Sequence, residues 1–310
     1  MNDTMQAISQ DELGGPEVLA SVSLPRPTPG IGEVLVRVHA ASVNPVDRAN
    51  RERGLFGPPP FVLGYDVSGT VEAVGPGVTL YARGDEVFGM LPFPHGHGAH
   101  AEYVVAPTRV FVPKPESLDH VQAAAIPLVG LTAWQALVDT AGIGEGSRVL
   151  INGAAGGVGH LAVQVAKARG AYVIALASAA NADFVRSLGA DEVIDYATPD
   201  FTDVVDDLDV VLESVGGDYP AKALDVLKYG GILVSIQPTT VASVAQEAAE
   251  RGIRVAWLFV EADRLAMTAL ADMAAAGELV PTIAATFPLD QAATAQSVKA
   301  GPGKVVLTLS

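Results

Sequence analysis

The stretch RVLINGAAGGVGHLAVQVAKARG, residues 148–170, constrains the fold of this chain more than any other. It predicts a buried strand, a glycine-rich turn and a helix that begins near Gly157. Ala154, Gly156 and Gly159 have the spacing of a dinucleotide-binding fingerprint whose first glycine is replaced by alanine. Gly156 would let the backbone approach a pyrophosphate, and Gly159 would let the helix pack closely on the strand. The stretch therefore predicts a nucleotide-binding βαβ unit.

Strand-like and helical segments alternate around this stretch. The apolar patterns predict strands at 148–153, 171–178, 192–196, 209–215, 231–237 and 253–260. They predict helices at 157–169, 182–188, 219–228 and 242–251. Apolar strands that alternate with helices of about ten residues indicate a parallel sheet covered on both faces.

Residues 1 to about 120 differ, because they are rich in Gly, Pro and short β-branched runs. Such runs, punctuated by turns, indicate a compact antiparallel β-domain. The segment after residue 264 predicts a helix at 264–277 and strands at 282–289 and 304–310, which we expect to return to this first domain. We therefore predict one domain at 1–122, completed by 275–310, and a second at 123–274.

Charge and cysteine content exclude several functions. The chain has 310 residues, a net charge of −16 and no cysteine. An acidic surface repels phosphate backbones, so we expect no nucleic-acid binding. Without cysteine there is no thiolate nucleophile, no cysteine-ligated zinc and no iron–sulfur cluster. No apolar run approaches about 18 residues and no secretory signal is apparent, so we expect a cytoplasmic protein with no membrane span.

The end of the second predicted strand bears on the choice of cofactor. An NAD site places an acidic residue there, about 20 residues after the glycines, to bind the ribose hydroxyl. This chain has Ser178 and Asn181 and no acid until Asp183. Hydroxyl and amide groups suit a 2′-phosphate, and Arg186 or Tyr196 could add contacts. The sequence therefore favours NADP over NAD.

Three histidines lie close together in PFPHGHGAHAEYVV, residues 92–105. His95, His97 and His100 invite a metal-site interpretation, since imidazole is a common zinc and copper ligand. Side chains alternate between the faces of a strand, however, and His100 is expected to enter one. We favour solvent-exposed or substrate-loop histidines over a functional metal site.

The chain resembles the zinc-free quinone oxidoreductase (zeta-crystallin-like) branch of the medium-chain dehydrogenase/reductase superfamily. The order and spacing of many stretches along nearly the whole chain carry the resemblance. They include VHAASVNPVD (38–47), LGYDVSGTVEAVGPGV (63–78), GDEVFGM (84–90), HAEYVVAP (100–107), AAAIPLVGLTAWQAL (123–137), VLINGAAGGVG (149–159), LGADEVIDY (188–196), DVVLESVGG (209–217), GGILVSI (230–236) and GKVVL (303–307).

The resemblance implies an α/β protein with a GroES-like β-barrel catalytic domain and a Rossmann domain with a doubly wound parallel sheet. It also implies NADP(H) in the cleft between them, and hydride transfer to a quinone or to the β-carbon of an α,β-unsaturated carbonyl. By matching motif, the residues expected around the pyrophosphate and the adenosine 2′-phosphate are Gly156, Gly157, Val158, Ser178, Asn181 and Tyr196. Those expected along the ribose, adenine and nicotinamide are Asn44, Thr132, Ser214, Val215, Gly216, Ile236, Phe259, Val260 and Lys304.

The chain departs from the zinc-dependent relatives, which carry a cysteine and a Gly-His-Glu motif as ligands. Here the motif is Gly64-Tyr65-Asp66 and no cysteine exists, so we expect no catalytic zinc. We expect Asp66 to be a structural carboxylate that binds backbone amides in a tight turn. Phe56 stands where quinone reductases often have tyrosine, which predicts a more apolar substrate pocket.

Without a metal, conjugate reduction is easier than ketone reduction, because the negative charge spreads to an enolate or hydroquinone oxygen. Asn44 and Tyr65 are the candidate catalytic residues that would donate to this oxygen, although Tyr65 could equally be a packing residue. Two alternatives stay open: an enoyl-thioester reductase, and a non-enzymatic, crystallin-like NADPH-binding protein.

Aromatic side chains alternate on the last strand predicted for the second domain. In similar proteins this strand often pairs across a two-fold axis. Trp257 and Phe259 are therefore expected in the core and at the interface of a homodimer.

Overall fold

The computed structural model describes residues 4–95, 98–197, 200–299 and 301–309. The chain divides into unit 1, Met1–Leu131 with Glu261–Ser310, and unit 2, Thr132–Val260. The domain boundaries expected from the sequence, after residues 122 and 274, stay predictions.

The first part of unit 1 is mainly β-structure. Its strands are β1 (Thr4–Gln10), β2 (Ala20–Pro25), β3 (Glu33–Val43), β4 (Phe61–Val62), β5 (Asp66–Val74), β6 (Glu86–Met90), β7 (Tyr103–Pro107) and β8 (Phe111–Pro113). Its helices are α1 (Pro45–Arg53), α2 (His120–Ala124) and α3 (Pro127–Trp134), and 3-10 turns lie at Pro16–Val18 and Thr108–Val110.

Strands and helices alternate in unit 2, as the sequence predicts. The strands are β9 (Arg148–Asn152), β10 (Tyr172–Ala177), β11 (Glu192–Asp195), β12 (Leu208–Glu213), β13 (Leu227–Ser235) and β14 (Arg254–Trp257). The helices are α4 (Gly157–Ala168), α5 (Ala182–Ser187), α6 (Tyr219–Val226) and α7 (Thr240–Glu250); a π-helical segment spans Gln135–Thr140, and 3-10 turns lie at Ala179–Asn181 and Phe201–Asp203.

The chain then returns to unit 1. The returning elements are α8 (Arg264–Ala275), β15 (Ile283–Pro288), a 3-10 turn (Leu289–Gln291), α9 (Ala292–Ser297) and β16 (Lys304–Thr308). Strand β16 pairs antiparallel with β3, so that Val305 lies opposite Val43. This pairing brings Lys304 to the end of β3 and makes β16 part of the larger sheet of unit 1.

Long strand β3 is central to unit 1. Within the described residues, the larger sheet has the order β15-β16-β3-β5-β6-β8, with β7 also paired to β3. A smaller sheet has the order β2-β1-β4. All the strand pairs within residues 4–113 are antiparallel, as the sequence predicts for this part of the chain, whereas the returning strands β15 and β16 pair in parallel.

Unit 2 contains the predicted parallel sheet. Its order in the described part of the chain is β11-β10-β9-β12-β13-β14, so the sheet runs outward in both directions from β9. Val149 and Ile151 belong to one buried cluster and Leu150 to another. Because successive side chains of a strand point to opposite faces, both faces of the sheet are covered. Ligands bind such sheets at the carboxyl ends of the strands, where the order reverses.

Two predicted boundaries in unit 2 are wrong. Strand β13 already begins at Leu227, where the sequence suggested the end of a helix. Gly230, with φ of +80°, is incompatible with continued right-handed helix, and the backbone is extended on both sides of it. The predicted strand 253–260 is confined to Arg254–Trp257, where it has a partner in β13.

Candidate active site

The glycine loop joins β9 to α4 at the carboxyl edge of the parallel sheet. Gly156 is the N-cap residue of α4, and no side chain caps this helix. A Cβ atom on Gly159 would lie 2.2 Å from the carbonyl oxygen of Gly153, so only glycine allows this approach. The first-turn amides, which include those of Gly157 and Val158, have no partner within the helix, and the helix dipole is positive there. This helix terminus can therefore hold a phosphate group.

The residues expected around an adenosine phosphate come together where β10 and β11 end. Ser178 follows β10, and its carbonyl oxygen accepts a hydrogen bond from the amide of Asn181 at 2.9 Å. The amide of Tyr196, just after β11, donates to the carbonyl of Ala177 at 3.4 Å. The Tyr196 side chain is exposed. The structure thus brings Ser178, Asn181 and Tyr196 to one corner of the sheet edge.

The charged side chains nearest to this corner in the sequence already have partners. Nη1 of Arg186 lies 2.9 Å from Oδ1 of Asp183 in an exposed ion pair. Asp195, opposite Ala177 in the sheet, accepts the amide of Ala197 at 3.0 Å. The residues that directly follow β10, Ser178 and Asn181 among them, are neutral, and the nearest carboxylate across the sheet is that of Asp195.

A buried carboxylate organises the next loop. Oε1 of Glu213 accepts hydrogen bonds from the amides of Val215 at 2.5 Å and Gly216 at 2.6 Å. Oε2 of Glu213 accepts a hydrogen bond from the hydroxyl of Ser235 at 3.1 Å. The hydroxyl of Ser214 donates to the carbonyl of Asn152 at 2.7 Å, which ties this loop to the strand before the glycine loop.

The remaining predicted residues of unit 2 differ in exposure. Ile236 directly follows β13, and its amide donates to the carbonyl of Glu213 at 3.1 Å. Phe259 is 40% exposed and Val260 is buried, both just after β14. Thr132 is buried within α3. All of these residues except Thr132 therefore follow the carboxyl ends of the parallel strands.

In unit 1, four polar residues form a buried cluster, here called the Asn44 cluster: Ser42, Asn44, Asp66 and Lys304. Nδ2 of Asn44 donates to Oδ2 of Asp66 at 2.8 Å, and Nζ of Lys304 donates to Oδ1 of Asn44. Nζ of Lys304 also donates to the carbonyl of Val43 at 3.1 Å and lies 3.9 Å from Oδ2 of Asp66. The hydroxyl of Ser42 donates to Oδ2 of Asp66. The cluster is an ion pair bridged by an amide.

Asp66 occupies a different place from the one expected. It is the first residue of β5, and its Oδ1 accepts the backbone amide of Leu128, near the start of α3, at 2.6 Å. It therefore binds one backbone amide, but it does so as a member of the cluster and outside any tight turn. The prediction of a turn carboxylate is wrong because the partners come from distant parts of the chain.

A second carboxylate supports Asn44 through the backbone. Oδ2 of Asp47 accepts the amide of Asn44 at 2.7 Å, and Oδ1 accepts the amide of Gly64 at 3.1 Å. Asn44 and Asp47 form a capping box at the start of α1. Burial raises the pKa of Asp47 to about 7, against the lowering effect of the Asn44 amide. Burial also lowers the pKa of Lys304, although the charges of Asp66 and Asp47 oppose this.

Tyr65 is packed inside unit 1. Its hydroxyl donates to the carbonyl oxygen of Pro94 at 3.0 Å, and its ring meets that of Phe93 edge-on at 4.9 Å. The ring of Phe56 also meets that of Phe93 edge-on, with 5.4 Å between the ring centroids. Burial, with the charge of Asp47, raises the pKa of Tyr65 above its usual range. Tyr65 and Asn44 are both fully buried in this structure.

The donor set of the Asn44 cluster does not fit a zinc ion. Zinc sites in proteins use cysteine sulfur, histidine nitrogen and carboxylate oxygen, whereas this cluster offers a carboxylate, an amide and an ammonium group. The ammonium of Lys304 would repel a dication. Over the part of the chain that the structure describes, no group of three or more His, Cys, Asp or Glu side chains is arranged to hold a metal.

The histidine segment does not gather its side chains in one place. His95 is exposed, His97 lies outside the described residues, and His100 is fully buried. Nε2 of His100 lies 3.4 Å from the carbonyl oxygen of Ser42, and burial lowers the pKa of His100 to about 4. The expectation of an exposed or strand-borne His100 is wrong, because β7 begins only at Tyr103.

Sequence reasoning missed three residues of these sites. Asp47 had a visible signal, since an acidic residue three positions after an Asn N-cap is the spacing of a capping box. Ser42 also had a signal. It lies two positions before Asn44 near the end of a strand, so the two side chains point to the same face. Glu213 had no local signal, because its role depends on the turn that follows β12.

A β-domain completed by the last strands, together with a parallel sheet carrying a glycine loop, defines a dehydrogenase/reductase of the medium-chain class. Two family models match: the alcohol dehydrogenase GroES-like domain over residues 30–116, and the zinc-binding dehydrogenase over residues 188–307. The chain belongs to the medium-chain dehydrogenase/reductase superfamily, among its quinone oxidoreductases. The predicted GroES-like and Rossmann fold class is confirmed, and the protein is an oxidoreductase of a family that uses nicotinamide cofactors.

Particular relatives cover most of the chain. The mouse mitochondrial NAD(P)H oxidoreductase RTN4IP1 is 35% identical over 304 residues, which cover 84% of this chain and 76% of the relative. The tomato (Solanum lycopersicum) 2-methylene-furan-3-one reductase is 38% identical over 241 residues, covering 74% and 61%. The crystal structure of the quinone oxidoreductase from Coxiella burnetii superposes with a TM-score of 0.92 at 36% identity, over 99% of this chain and 100% of that chain.

Proposed function

We propose that the protein transfers a hydride from NADPH to a quinone or to the β-carbon of an α,β-unsaturated carbonyl, without a metal. The observation that carries the proposal is the Asn44 cluster. Where zinc-dependent relatives have their Gly-His-Glu motif, this chain has a carboxylate bound to an amide and paired with the ammonium of Lys304. Such a set favours a reaction that needs no Lewis acid.

Conjugate acceptors fit this requirement. Hydride addition to an enone or a quinone places the negative charge on a delocalised enolate or hydroquinone oxygen, which needs less stabilisation than an alkoxide. The names of two relatives agree: one is a quinone oxidoreductase, and the substrate named for the other contains a ketone conjugated to a methylene group. Orientation and exclusion of water then supply much of the catalysis.

Unit 2 is proposed to bind the NADPH, which supplies the hydride when bound. The first-turn amides of α4 would take the pyrophosphate, and Ser178, Asn181 and Tyr196 the 2′-phosphate. The absence of an acidic residue over 178–182 supports NADPH over NADH. The other proposed contacts are Thr132, Ser214, Val215, Gly216, Ile236, Phe259 and Val260.

The two candidate donors, Asn44 and Tyr65, lie in the interior of unit 1. Both are fully buried, so a substrate oxygen reaches their polar atoms only if the residues that cover them move. The single hydroxyl proton of Tyr65 is donated to Pro94, whereas Nδ2 of Asn44 has a second N–H beyond its bond to Asp66. We therefore assign the donor role to Asn44 and a packing role to Tyr65. Asn44 and Lys304 remain proposed contacts of the cofactor, and Lys304 is also proposed to act through Asn44.

The test is NADPH oxidation by the purified chain with a panel of quinones, alkyl enones and enoyl-CoA thioesters. Parallel reactions contain NADH or a strong zinc chelator. We expect turnover with quinones or alkyl enones, a preference for NADPH, and no effect of the chelator.

The other outcomes overturn the proposal in different ways. Turnover confined to enoyl-CoA would make the protein an enoyl-thioester reductase. Tight NADPH binding without turnover on any acceptor would make it a non-enzymatic binding protein. Activity that the chelator abolishes and zinc restores would contradict the metal-free mechanism.

We also propose that two copies of the chain associate through β14. This strand ends the parallel sheet, and among the described strands it pairs only with β13. Trp257 and Phe259 are 47% and 40% exposed, with ring centroids 5.4 Å apart, so the core position expected for them is wrong.

Among the described residues, no helix has the length and apolar character needed to cross a membrane. Because one relative is mitochondrial, the cytoplasmic location stays a prediction.

A further inference from the structure

We propose that the ammonium of Lys304 is the resident cation of the Asn44 cluster, neutralising Asp66 and fixing the amide of Asn44, so that the cluster accepts no metal ion. The inference concerns what holds this part of unit 1 together. It rests on the proposed metal-free function, whose donor Asn44 it holds in place, but it requires no particular acceptor.

The hydrogen bonds of Asn44 permit one orientation of its amide. A carboxylate only accepts hydrogen bonds and an ammonium only donates them. Nδ2 faces Oδ2 of Asp66 at 2.8 Å, and Oδ1 faces Nζ of Lys304. Rotating the amide by half a turn would place oxygen against oxygen and nitrogen against nitrogen. Removing the ammonium would therefore leave the carboxylate of Asp66 without a counter-ion and would free the amide of Asn44 to rotate.

Asp66 and Lys304 are the opposite charges at the centre of the cluster. The other titratable groups nearby are Asp47, Arg48, Tyr65 and His100, and burial together with the charge of Arg48 lowers the pKa of Lys304. Burial lowers the pKa of His100 to about 4 and raises that of Tyr65, so both are neutral at pH 7. Asp47, whose pKa burial raises to about 7, is partly protonated there. A single ammonium can therefore balance most of the buried negative charge.

The cluster also joins four chain segments of unit 1. Lys304 begins β16 and binds the carbonyl of Val43 at the end of β3. Asn44 is the N-cap residue of α1, and Asp66 begins β5. Oδ1 of Asp66 binds the amide of Leu128 in the first turn of α3. A cation at this point links the segments as a structural metal would.

The first experiment removes the ammonium group of Lys304 by mutation and supplies an alkylammonium ion from solution. In Lys304→Ala, we expect the melting temperature to fall by about 10 °C, because the buried Asp66 loses its partner. Propylammonium, which restores the three carbons and the nitrogen that the truncation removes, should recover part of this loss in a saturable way. Tetramethylammonium carries the same charge but no N–H donor and should recover none.

Lys114→Ala is the matched control. The side chain of Lys114 is 7% exposed and that of Lys304 is 3% exposed. Nζ of Lys114 likewise binds a backbone carbonyl, that of Leu118 at 2.7 Å, and pairs with a carboxylate, Glu86, at 3.1 Å. It does not touch Asn44. Because Glu86 is 52% exposed and water can solvate it, whereas Asp66 is fully buried, we expect no saturable response of Lys114→Ala to propylammonium; an equal response in both variants would contradict the proposal.

Two further measurements decide the question if Lys304→Ala does not fold. The double variant Lys304→Met with Asp66→Asn removes both charges and should be more stable than the sum of the single losses predicts, or should fold where Lys304→Met alone does not. Additive losses would overturn the charge pairing. Wild-type protein dialysed against Zn²⁺ or Co²⁺ should retain no stoichiometric metal; retention that Asp66→Asn abolishes would overturn the proposal outright.

Discussion

The carboxylate of Glu213 accepts a hydrogen bond from the backbone amide of Gly216, with 2.6 Å between Oε1 and N. In Glu213→Gln the side chain keeps its length, but the amides of Val215 and Gly216 in the loop after β12 lose their charged acceptor. We expect NADPH binding to weaken about tenfold, measured by cofactor fluorescence.

Asp209→Asn is the control for Glu213→Gln. Asp209 lies at the other end of β12 and accepts the amide of Arg148 at 2.8 Å. We expect Asp209→Asn to cost stability without weakening NADPH binding. Equal weakening by both variants would show that the loop has no specific role.

Ser178→Asp should change the cofactor preference. A carboxylate at the end of β10 would repel a 2′-phosphate and could bind a ribose hydroxyl. We expect the dissociation constant for NADPH to rise about tenfold relative to that for NADH. Ser187→Asp places the same charge on an exposed site of α5 and should leave the ratio unchanged. An unchanged ratio in Ser178→Asp would remove Ser178 from the proposed site.

Tyr65→Phe should have little effect on turnover. The hydroxyl proton of Tyr65 is bound to Pro94, and burial raises its pKa, so it is a poor acid. We expect kcat/KM to change by less than about threefold, as one neutral hydrogen bond is lost. Tyr81→Phe, which removes another buried hydroxyl donated to a carbonyl, that of Phe111, is the control. A hundredfold loss confined to Tyr65→Phe would make Tyr65 the proton donor.

Two buried groups of unit 1 should give opposite pH dependences of stability. His100 has its pKa lowered to about 4, so between about pH 6.5 and pH 4 the unfolded chain binds a proton that the folded chain does not. The free energy of unfolding therefore falls as the pH is lowered through this range. Asp47 has its pKa raised to about 7, so the folded chain keeps a proton that the unfolded chain loses above about pH 4. Its contribution falls as the pH rises to about 7.

Urea denaturation of His100→Gln and Asp47→Asn across this range separates the two contributions. Each should change the slope by up to about 1.4 kcal/mol per pH unit, in opposite directions. Relative to wild type, His100→Gln should gain stability at low pH and Asp47→Asn at neutral pH. Parallel profiles for wild type and both variants would contradict the assignment.

Trp257→Glu should dissociate the proposed dimer. A carboxylate on the open edge of β14 would have to be buried without a partner at the interface. We expect light scattering to give a dimer for wild type and a monomer for the variant. Leu265→Glu, at an apolar side chain that is 81% exposed in unit 1, is the control and should remain dimeric. A monomeric wild type would exclude the interface.

The parallel sheet could be predicted because its signals are local. The run from β9 through the glycine loop to α4 carries its own strand, turn and helix pattern, and each repeat of that pattern adds a neighbouring strand. The carboxyl edge follows from this topology, and so does the joint position of Ser178 and Tyr196. The predicted start of β13 was wrong, because the residues before Gly230 have a pattern that also fits a helix.

The Asn44 cluster could not be predicted in the same way, because its members are far apart in the chain. Asn44 and Lys304 are separated by 260 residues, and Asp66 meets Leu128 across 62. No periodicity links such positions. His100 shows the same limit: a polar loop sequence suggested exposure, but the backbone carries this side chain inside unit 1.

The antiparallel pairing of β16 with β3 also sets an order of events during translation. Asn44 and Asp66 leave the ribosome long before Lys304, and all of unit 2 is synthesised in between. Until β16 is made, Asp66 has no cation and β3 lacks one of its neighbours. Unit 1 is thus begun before unit 2 is synthesised and completed only after it, and a ribosome that stops within unit 2 leaves β3 without β16 and Asp66 without Lys304.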